Sequence, residues 1–162
     1  MVSLGELLEE ISFECQRGVL EREITDIVYD SRKVKEGCLF VCISGAKVDG
    51  HVYAADAVKA GAGALLVERE TELPEGADVT VIRVEDTRYA MAFVSAAYFG
   101  HPAEQMKVIG ITGTKGKTTT TYLVKSILEQ AGRKVGLIGT IEIIIGDTHI
   151  HAENTTPQSY LI

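Results

Sequence analysis

The chain has 162 residues, 46% apolar and 24% charged, with 16 basic and 23 acidic side chains and a net charge of −7. That length suits one large domain or two small ones, at roughly 100–200 residues each, and the apolar content excludes wholesale disorder. The acidic balance argues against non-specific nucleic-acid binding, which neutralises phosphates with excess Lys and Arg, and no apolar run approaches the ~20 residues of a membrane span. The first ten residues are acidic and amphipathic. They lack the basic start and apolar stretch of a signal peptide, which predicts a cytoplasmic chain. Cys15, Cys38 and Cys42 form an odd set with no framework spacing and are expected as reduced thiols.

Residues 1–102 read as one small α/β domain. Leu4, Leu7, Leu8 and Ile11 recur at helical spacing. Ile24 to Tyr29 is a predicted strand leading into Asp30-Ser31-Arg32. Cys38 to Ile43 is a short continuous apolar run, the pattern of a buried strand. Gly50 to Ala60 carries Tyr53, Ala54, Ala57 and Val58 at helical offsets, with Gly61 as the stop. Ala64 to Val67 and Val79 to Val84 read as further strands. Asp86 is a good N-cap for a helix reaching about Phe99, with Ala90, Phe93, Val94 and Ala97 inward. Gly100-His101-Pro102 ends it, so the domain boundary is expected between about Gly100 and Gln105.

A second α/β pattern occupies 103–162. Val108 to Thr112 is a predicted buried strand, Gly113 to Lys117 a tight loop, and Thr118 to Ala131 a helix with Leu123, Val124, Ile127 and Leu128 on one face. Gly132 caps that helix, and Val135 to Ile138 is the next strand. Ile141 to Ile145 and His149 to Ala152 flank Gly146-Asp147 as a hairpin. Thr156-Pro157 reads as a helix start, with Thr as N-cap and Pro at the first helical position. His149 and His151 are expected on the solvated face of the hairpin, since no carboxylate or Cys set accompanies them as metal ligands. Cys38 and Cys42 are expected in the core. Glu68, Arg69, Glu70 and Glu72 read as a solvated charged loop.

The strongest chemical signal is Gly110-Ile111-Thr112-Gly113-Thr114-Lys115-Gly116-Lys117-Thr118-Thr119, between a predicted strand and a predicted helix. Gly113 and Gly116 let the backbone turn tightly and approach an anion. The loop N–H groups and the helix N-terminus then favour a phosphate. Lys117 would reach the β- and γ-phosphates, and the Thr118 hydroxyl would bind Mg²⁺. The spacing departs from the strict G-x-x-x-x-G-K-[ST] form, because Ile111 stands five before Gly116 and Gly110 lies one further back.

Gly113 to Thr119 resembles the ATP loop of the Mur ligases, the ATP-dependent enzymes that add amino acids to the UDP-linked peptidoglycan precursor. The related folylpolyglutamate synthases share this loop type. Position 115, commonly Asn in the family, is Lys here. Asp30-Ser31-Arg32, then Gly37 to Val41, then Gly45 with Asp49-Gly50-His51, resembles the N-terminal UDP-binding domain of these ligases. Asn154-Thr155-Thr156-Pro157 resembles the N-T-T-P segment of the branch acting third, on UDP-N-acetylmuramoyl-L-alanyl-D-glutamate.

The resemblance implies an α/β fold: a small UDP-substrate-binding domain over 1–102, then the truncated beginning of a P-loop central domain over 103–162. It implies that Ser31, beside Asp30, contacts the UDP-sugar and that Ala46, Lys47 and Val48 line the uridine site, with His51 as local structure nearby. Gly113, Thr114, Lys115, Gly116, Lys117, Thr118 and Thr119 would hold ATP, with Lys117 and Thr118 as the catalytic pair and Mg²⁺ reached through Thr118. Asn154, Thr155 and Thr156 would contact the sugar–peptide part. The implied reaction is amide ligation through an acyl phosphate, with ATP and Mg²⁺ as cofactors. The implied partners are a UDP-N-acetylmuramoyl dipeptide and an amino acid, with no nucleic acid or membrane, in a full-length monomer. Diaminopimelate and lysine both remain open as the added residue, and the 162-residue chain alone is expected to be inactive. The alternatives are a non-catalytic UDP-substrate- and ATP-binding fragment, another relative of the family, or an ATPase or kinase sharing only the loop.

Overall fold

The first apolar runs of the chain build a sheet. The computed structural model describes residues 2–45, 48–152 and 157–161, and the chain divides into two compact units, Met1–Gln105 and Met106–Ile162. In the first unit, β1 (Val2–Ser3) leads into α1 (Leu4–Leu8). Ser3 and Glu6 form a capping box there, Ser3 accepting from the Glu6 N–H while the Ser3 N–H donates to Glu6 at 2.9 Å. Then follow β2 (Glu14–Arg17), β3 (Glu23–Ile24), β4 (Ile27–Val28) and β5 (Leu39–Val41). A 3₁₀ turn over Gly50–Tyr53 runs into α2 (Ala54–Lys59), and β6 (Ala64–Val67), β7 (Thr80–Arg83) and α3 (Thr87–Tyr98) complete the unit.

The main sheet has the order β2-β7-β6-β5-β4. Strands β4 to β7 are parallel, and β2 adds antiparallel to β7 with a register shift between Cys15 and Arg17. On one face Phe40, Leu65, Val67, Val79 and Val81 join Cys38, Cys42, Ala54 and Ala57 of the α2 side in a single cluster. The alternating residues Leu39, Val41, Leu66 and Ile82 are equally buried, so both faces are covered, as parallel strands require. Asp86 caps α3 by accepting from the N–H groups of Arg88 and Tyr89, at 2.8 and 2.9 Å.

The predicted strand Ile24–Tyr29 is in fact two short ones. Ile24 pairs with Val2 of β1, whereas Ile27 and Val28 pair with β5. The chain changes sheets at Thr25-Asp26, where the Ile27 N–H bonds to the Asp26 side chain at 2.9 Å. Strand β2 carries no apolar alternation and is exposed throughout, so only its pairing with β7 identifies it.

The second unit holds α4 (Lys117–Gln130), β8 (Gly136–Ile138), β9 (Glu142–Ile145) and β10 (Thr148–His151). The last two form the expected hairpin, with Ile145 opposite Thr148 across Gly146-Asp147, and β8 pairs antiparallel with β9. Gly132, with φ +76°, ends α4. Its N–H bonds to Glu129 O and that of Arg133 to Leu128 O, both at 2.9 Å, the paired bonds of a glycine-stopped helix.

Two expectations for this unit are corrected. Val108 to Thr112 is neither a strand nor buried: Val108 is 73% exposed and Ile109 61%. A parallel strand is defined by the neighbours it bonds to, and none of the described strands pairs with this segment. The predicted apolar face of α4 is only partly inward. Val124 and Leu128 are half-buried, while Leu123 and Ile127 are exposed.

Candidate functional site

Two regions carry the residues singled out by sequence, one in each unit. In the second unit the loop before α4 turns on Gly113 (φ +150°) and Gly116 (φ +79°). Those angles favour glycine. A Cβ added at Gly116 would meet nothing within 4 Å, and one at Gly113 only Lys115 O at 3.7 Å. The glycines are therefore required by backbone conformation, and the space before the helix is open. Gly116 caps α4 without any side-chain hydrogen bond, and Thr120 is the residue whose N–H first returns to Gly116 O, at 2.9 Å. The N–H groups of residues 117 to 119 thus have no helical acceptor and carry the positive end of the helix dipole. Lys117 Nζ folds back across the loop and donates to Gly113 O at 2.6 Å. This places an ammonium group over the turn. The donor set suits a polyphosphate: backbone N–H groups, one lysine and the hydroxyls of Thr118 and Thr119.

In the same unit Glu142 links three elements. It accepts from Tyr122 Oη of α4 and is paired with His149 Nδ1 of β10, each at 2.5 Å. Hydrogen bonds from Tyr122 and then His149 hold its carboxyl below the usual range. His149 therefore has a protein partner rather than a wholly solvated face. Among the described residues no group of three or more His, Cys, Asp or Glu is placed to hold a metal ion.

The first unit presents the carboxyl edge of its parallel strands, the edge at which open α/β sheets bind ligands. Ser31 opens a 3₁₀ turn over Ser31–Lys33 just beyond β4. Val48, 54% exposed, lies beyond the adjacent strand β5. Asp30 is committed locally. It accepts from the Arg32 backbone N–H at 3.1 Å and grips the guanidinium at 2.9 and 2.7 Å. The Arg32 hydrogen bonds pull its carboxyl down to about 2. Ala46, Lys47, Asn154, Thr155 and Thr156 lie outside the described residues, as does the predicted Thr156 cap.

The same edge holds a polar network that sequence reading missed. His51 is buried, only 7% exposed. Its Nε2 accepts the Glu68 N–H at 2.9 Å, so the ring proton sits on Nδ1 and donates to Asp49 Oδ1 at 2.7 Å. Burial pushes its pKa down, against the pull of the Glu68 carboxylate. Protonating Nε2 would set N–H against N–H. Asp49 also pairs with Arg69. Glu68 accepts from Ser44 Oγ at 2.6 Å on one oxygen, and from Thr87 Oγ1 at 2.7 Å and Thr87 N at 3.0 Å on the other. Burial alone would raise the Glu68 pKa, but the Ser44 and Thr87 bonds outweigh it and the net shift is downward. Glu68 is thus a half-buried hub, which corrects its reading as part of a solvated charged loop, whereas Arg69, Glu70 and Glu72 are exposed as expected. The one sequence signal was Asp49-Gly50-His51, where Asp49 caps the following turn by accepting the His51 N–H at 3.0 Å. Cys42, adjacent to the hub, is fully buried, and burial pushes its thiol up to about 12, which leaves it inert.

No helix of the described residues is long and apolar enough to cross a membrane. Residues 23–99 match the family model described as Mur ligase family, catalytic domain, and residues 111–162 match the Mur ligase middle domain. A UDP-N-acetylmuramoyl-L-alanyl-D-glutamate–2,6-diaminopimelate ligase of Clostridium perfringens is 48% identical over 157 residues, 97% of this chain and 32% of that protein. A protein of the same name from Bacillus licheniformis is 49% identical over 142 residues, 88% of this chain and 28% of its own length. The chain thus spans about a third of the length of the curated relatives it matches. Among solved structures, MurF of Acinetobacter baumannii aligns over 86% of this chain and 28% of its own, with 30% identity and a TM-score of 0.59. The structure of a UDP-N-acetylmuramoyl-L-alanyl-D-glutamate–2,6-diaminopimelate ligase covers 99% of this chain and 31% of its own, with a TM-score of 0.72 and 23% identity, a likeness of fold. Both family models and the mixed α/β architecture agree: the chain belongs to the Mur ligase family.

Proposed function

We propose that this chain is the UDP-substrate-binding and ATP-loop part of a ligase that joins 2,6-diaminopimelate to UDP-N-acetylmuramoyl-L-alanyl-D-glutamate. The carrying observation is the glycine-turned loop 113–117 at the uncapped N-terminus of α4, in a chain whose relatives bear that ligase's name. Residues 1–102 serve as the substrate domain and 103–162 as the start of the ATP-binding domain. Ser31 and Val48, beyond adjacent parallel strands, take the UDP part with Ala46 and Lys47. Asn154, Thr155 and Thr156 take the sugar–peptide part. The whole protein works as a cytoplasmic monomer.

The substrate's carboxylate attacks the γ-phosphorus of ATP, forming an acyl phosphate as ADP leaves. The amine of the incoming amino acid then attacks the acyl carbon. Phosphate departs, the amine gives up a proton, and the amide is made. Residues 113–119 bind and orient the polyphosphate through backbone N–H groups. Lys117 exchanges Gly113 O for the β- and γ-phosphate oxygens and offsets the charge that develops there. Thr118 would hold Mg²⁺ through its hydroxyl, and the ion when bound supplies further charge neutralisation. Diphosphate and carboxylate groups suit a site of hydroxyls, amides and backbone N–H groups.

Calorimetric titration of the chain with UDP-N-acetylmuramoyl-L-alanyl-D-glutamate, and separately with ATP and Mg²⁺, tests this reading. Lys117→Ala is expected to abolish ATP binding and leave the UDP ligand's affinity within about twofold, because Lys117 and the UDP-binding residues Ser31 and Val48 belong to different compact units. Loss of both in a folded variant, or no UDP-ligand binding by the wild type at millimolar concentration, overturns it.

A further inference from the structure

We infer that Glu68 and Arg69, at the carboxyl end of β6, are positioning residues for the substrate-binding connection that leaves β5. The inference rests on the reading that this connection meets the UDP ligand. The connection returns on itself at a neck. Ser44 and Asp49 form an antiparallel bridge, the Gly45 N–H bonds to Val48 O at 3.0 Å, and the Gly50 N–H bonds to Ile43 O at 2.8 Å. The neck has two sides, and consecutive residues of β6's end hold one each. The Glu68 carboxylate takes Ser44 on the outgoing side. The Arg69 guanidinium takes Asp49 on the returning side. A third tie runs from the Glu68 N–H to His51, just past the neck. Thr87, at the start of α3, braces Glu68 from behind with its N–H and hydroxyl.

The chemistry argues that these residues act through the connection rather than on the ligand. A carboxylate aimed at a diphosphate would repel it. Both Glu68 oxygens are instead turned onto Ser44 and Thr87. The Arg69 guanidinium is likewise spent on Asp49. What the pair supplies is order. A connection held before the ligand arrives has less freedom to lose on binding, so affinity rises without a new contact.

The test is UDP affinity of the 162-residue chain, measured by calorimetry for Arg69→Ala, Arg69→Lys, Glu68→Gln and Ser44→Ala, each checked for folding by circular dichroism. Arg69→Ala is expected to weaken binding roughly tenfold, as loss of a charged hydrogen bond does. Arg69→Lys keeps the charge toward Asp49 and is expected to recover at least half of that loss on a logarithmic scale. A residue needed only for folding shows no such rescue in folded protein. Glu68→Gln and Ser44→Ala are expected to weaken binding by similar factors and to be non-additive when combined, since each removes the same tie. If Glu68→Gln does not fold, Ser44→Ala and the Arg69 pair decide. Wild-type-like affinity in Arg69→Ala, absence of rescue by Arg69→Lys, or wild-type-like affinity in Ser44→Ala overturns the inference. A wild type that does not bind UDP at all refutes the underlying reading instead, so the two failures are distinct.

Discussion

Replacing Thr87 by Val removes one hydroxyl from the centre of the polar network and almost nothing else. Thr87 is fully buried. Its Oγ1 donates to Glu68 Oε1 at 2.7 Å, with Cys42 O at 3.1 Å as a second acceptor. Valine keeps the branching and nearly the volume, so no cavity opens. Glu68 retains Ser44 Oγ on one oxygen and the Thr87 N–H on the other, so one of its three donors is lost. A hydrogen bond to a charged group contributes about 1.5–3 kcal/mol, and a buried acceptor left short keeps its desolvation cost. The expected destabilisation is therefore about 2 kcal/mol. In a unit of this size that corresponds to a fall in melting temperature of roughly 8–16 °C. Urea unfolding followed by far-ultraviolet circular dichroism is the assay. The midpoint should drop while the slope of free energy against urea stays constant, since the exposed surface is unchanged. Thr87→Ser is the control: it keeps the hydroxyl, loses a methyl group, and is expected to cost about 1 kcal/mol. A Thr87→Val cost below about 0.5 kcal/mol, or one smaller than that of Thr87→Ser, would refute the claim that Glu68 depends on this donor.

Two further outcomes follow from the same region. Burial lowers the His51 pKa below its ordinary value near 6.5, with Asp49 and Glu68 as its charged neighbours and Arg69, Glu70 and Glu72 lining the same cavity. The unfolded chain therefore binds a proton first as pH falls. The stability that His51 contributes is complete above about pH 6.5 and is lost on descent toward its folded pKa, with a slope approaching 1.4 kcal/mol per pH unit. His51→Gln should flatten that limb in urea titrations from pH 5 to 7, and parallel wild-type and variant curves would contradict a folded His51 whose pKa lies below the unfolded value. Gly50→Ala places a Cβ 2.7 Å from Ile43 N and 3.0 Å from Ile43 O. Both atoms are backbone, so the chain must shift, at about 1–3 kcal/mol. Weaker UDP binding should accompany the lower urea midpoint, and unchanged values of both would mean that the neck is looser than its hydrogen bonds indicate.

The glycine turn before α4 was legible because everything it needs is local. Gly113, Gly116, Lys117 and Thr118 are consecutive or nearly so, and the left-handed angle at Gly116 follows from residue type within a turn. Caps behaved alike: Asp86 before α3 and Gly132 after α4 act on neighbours two to five residues away. Runs such as Ala64–Val67 announced themselves because a strand buried on both faces needs apolar side chains on both. The short segments escaped for the opposite reason. Whether Ile24 and Ile27 share a strand depends on which partner each finds, and β2 exists only through its bonds to β7.

By itself, then, the sequence determined the helices, the central strands of the first unit, the glycine turn before α4 and the family. Tertiary structure alone decided the polar network at the carboxyl ends of β5 and β6. Ser44, Asp49, His51, Glu68, Arg69 and Thr87 lie up to 43 residues apart in sequence, and they become one network only because parallel pairing brings the ends of β5 and β6 side by side. A charge that reads as solvated in sequence becomes a half-buried hub when its partners arrive from other strands, since hydrogen bonds from those partners offset the cost of leaving water.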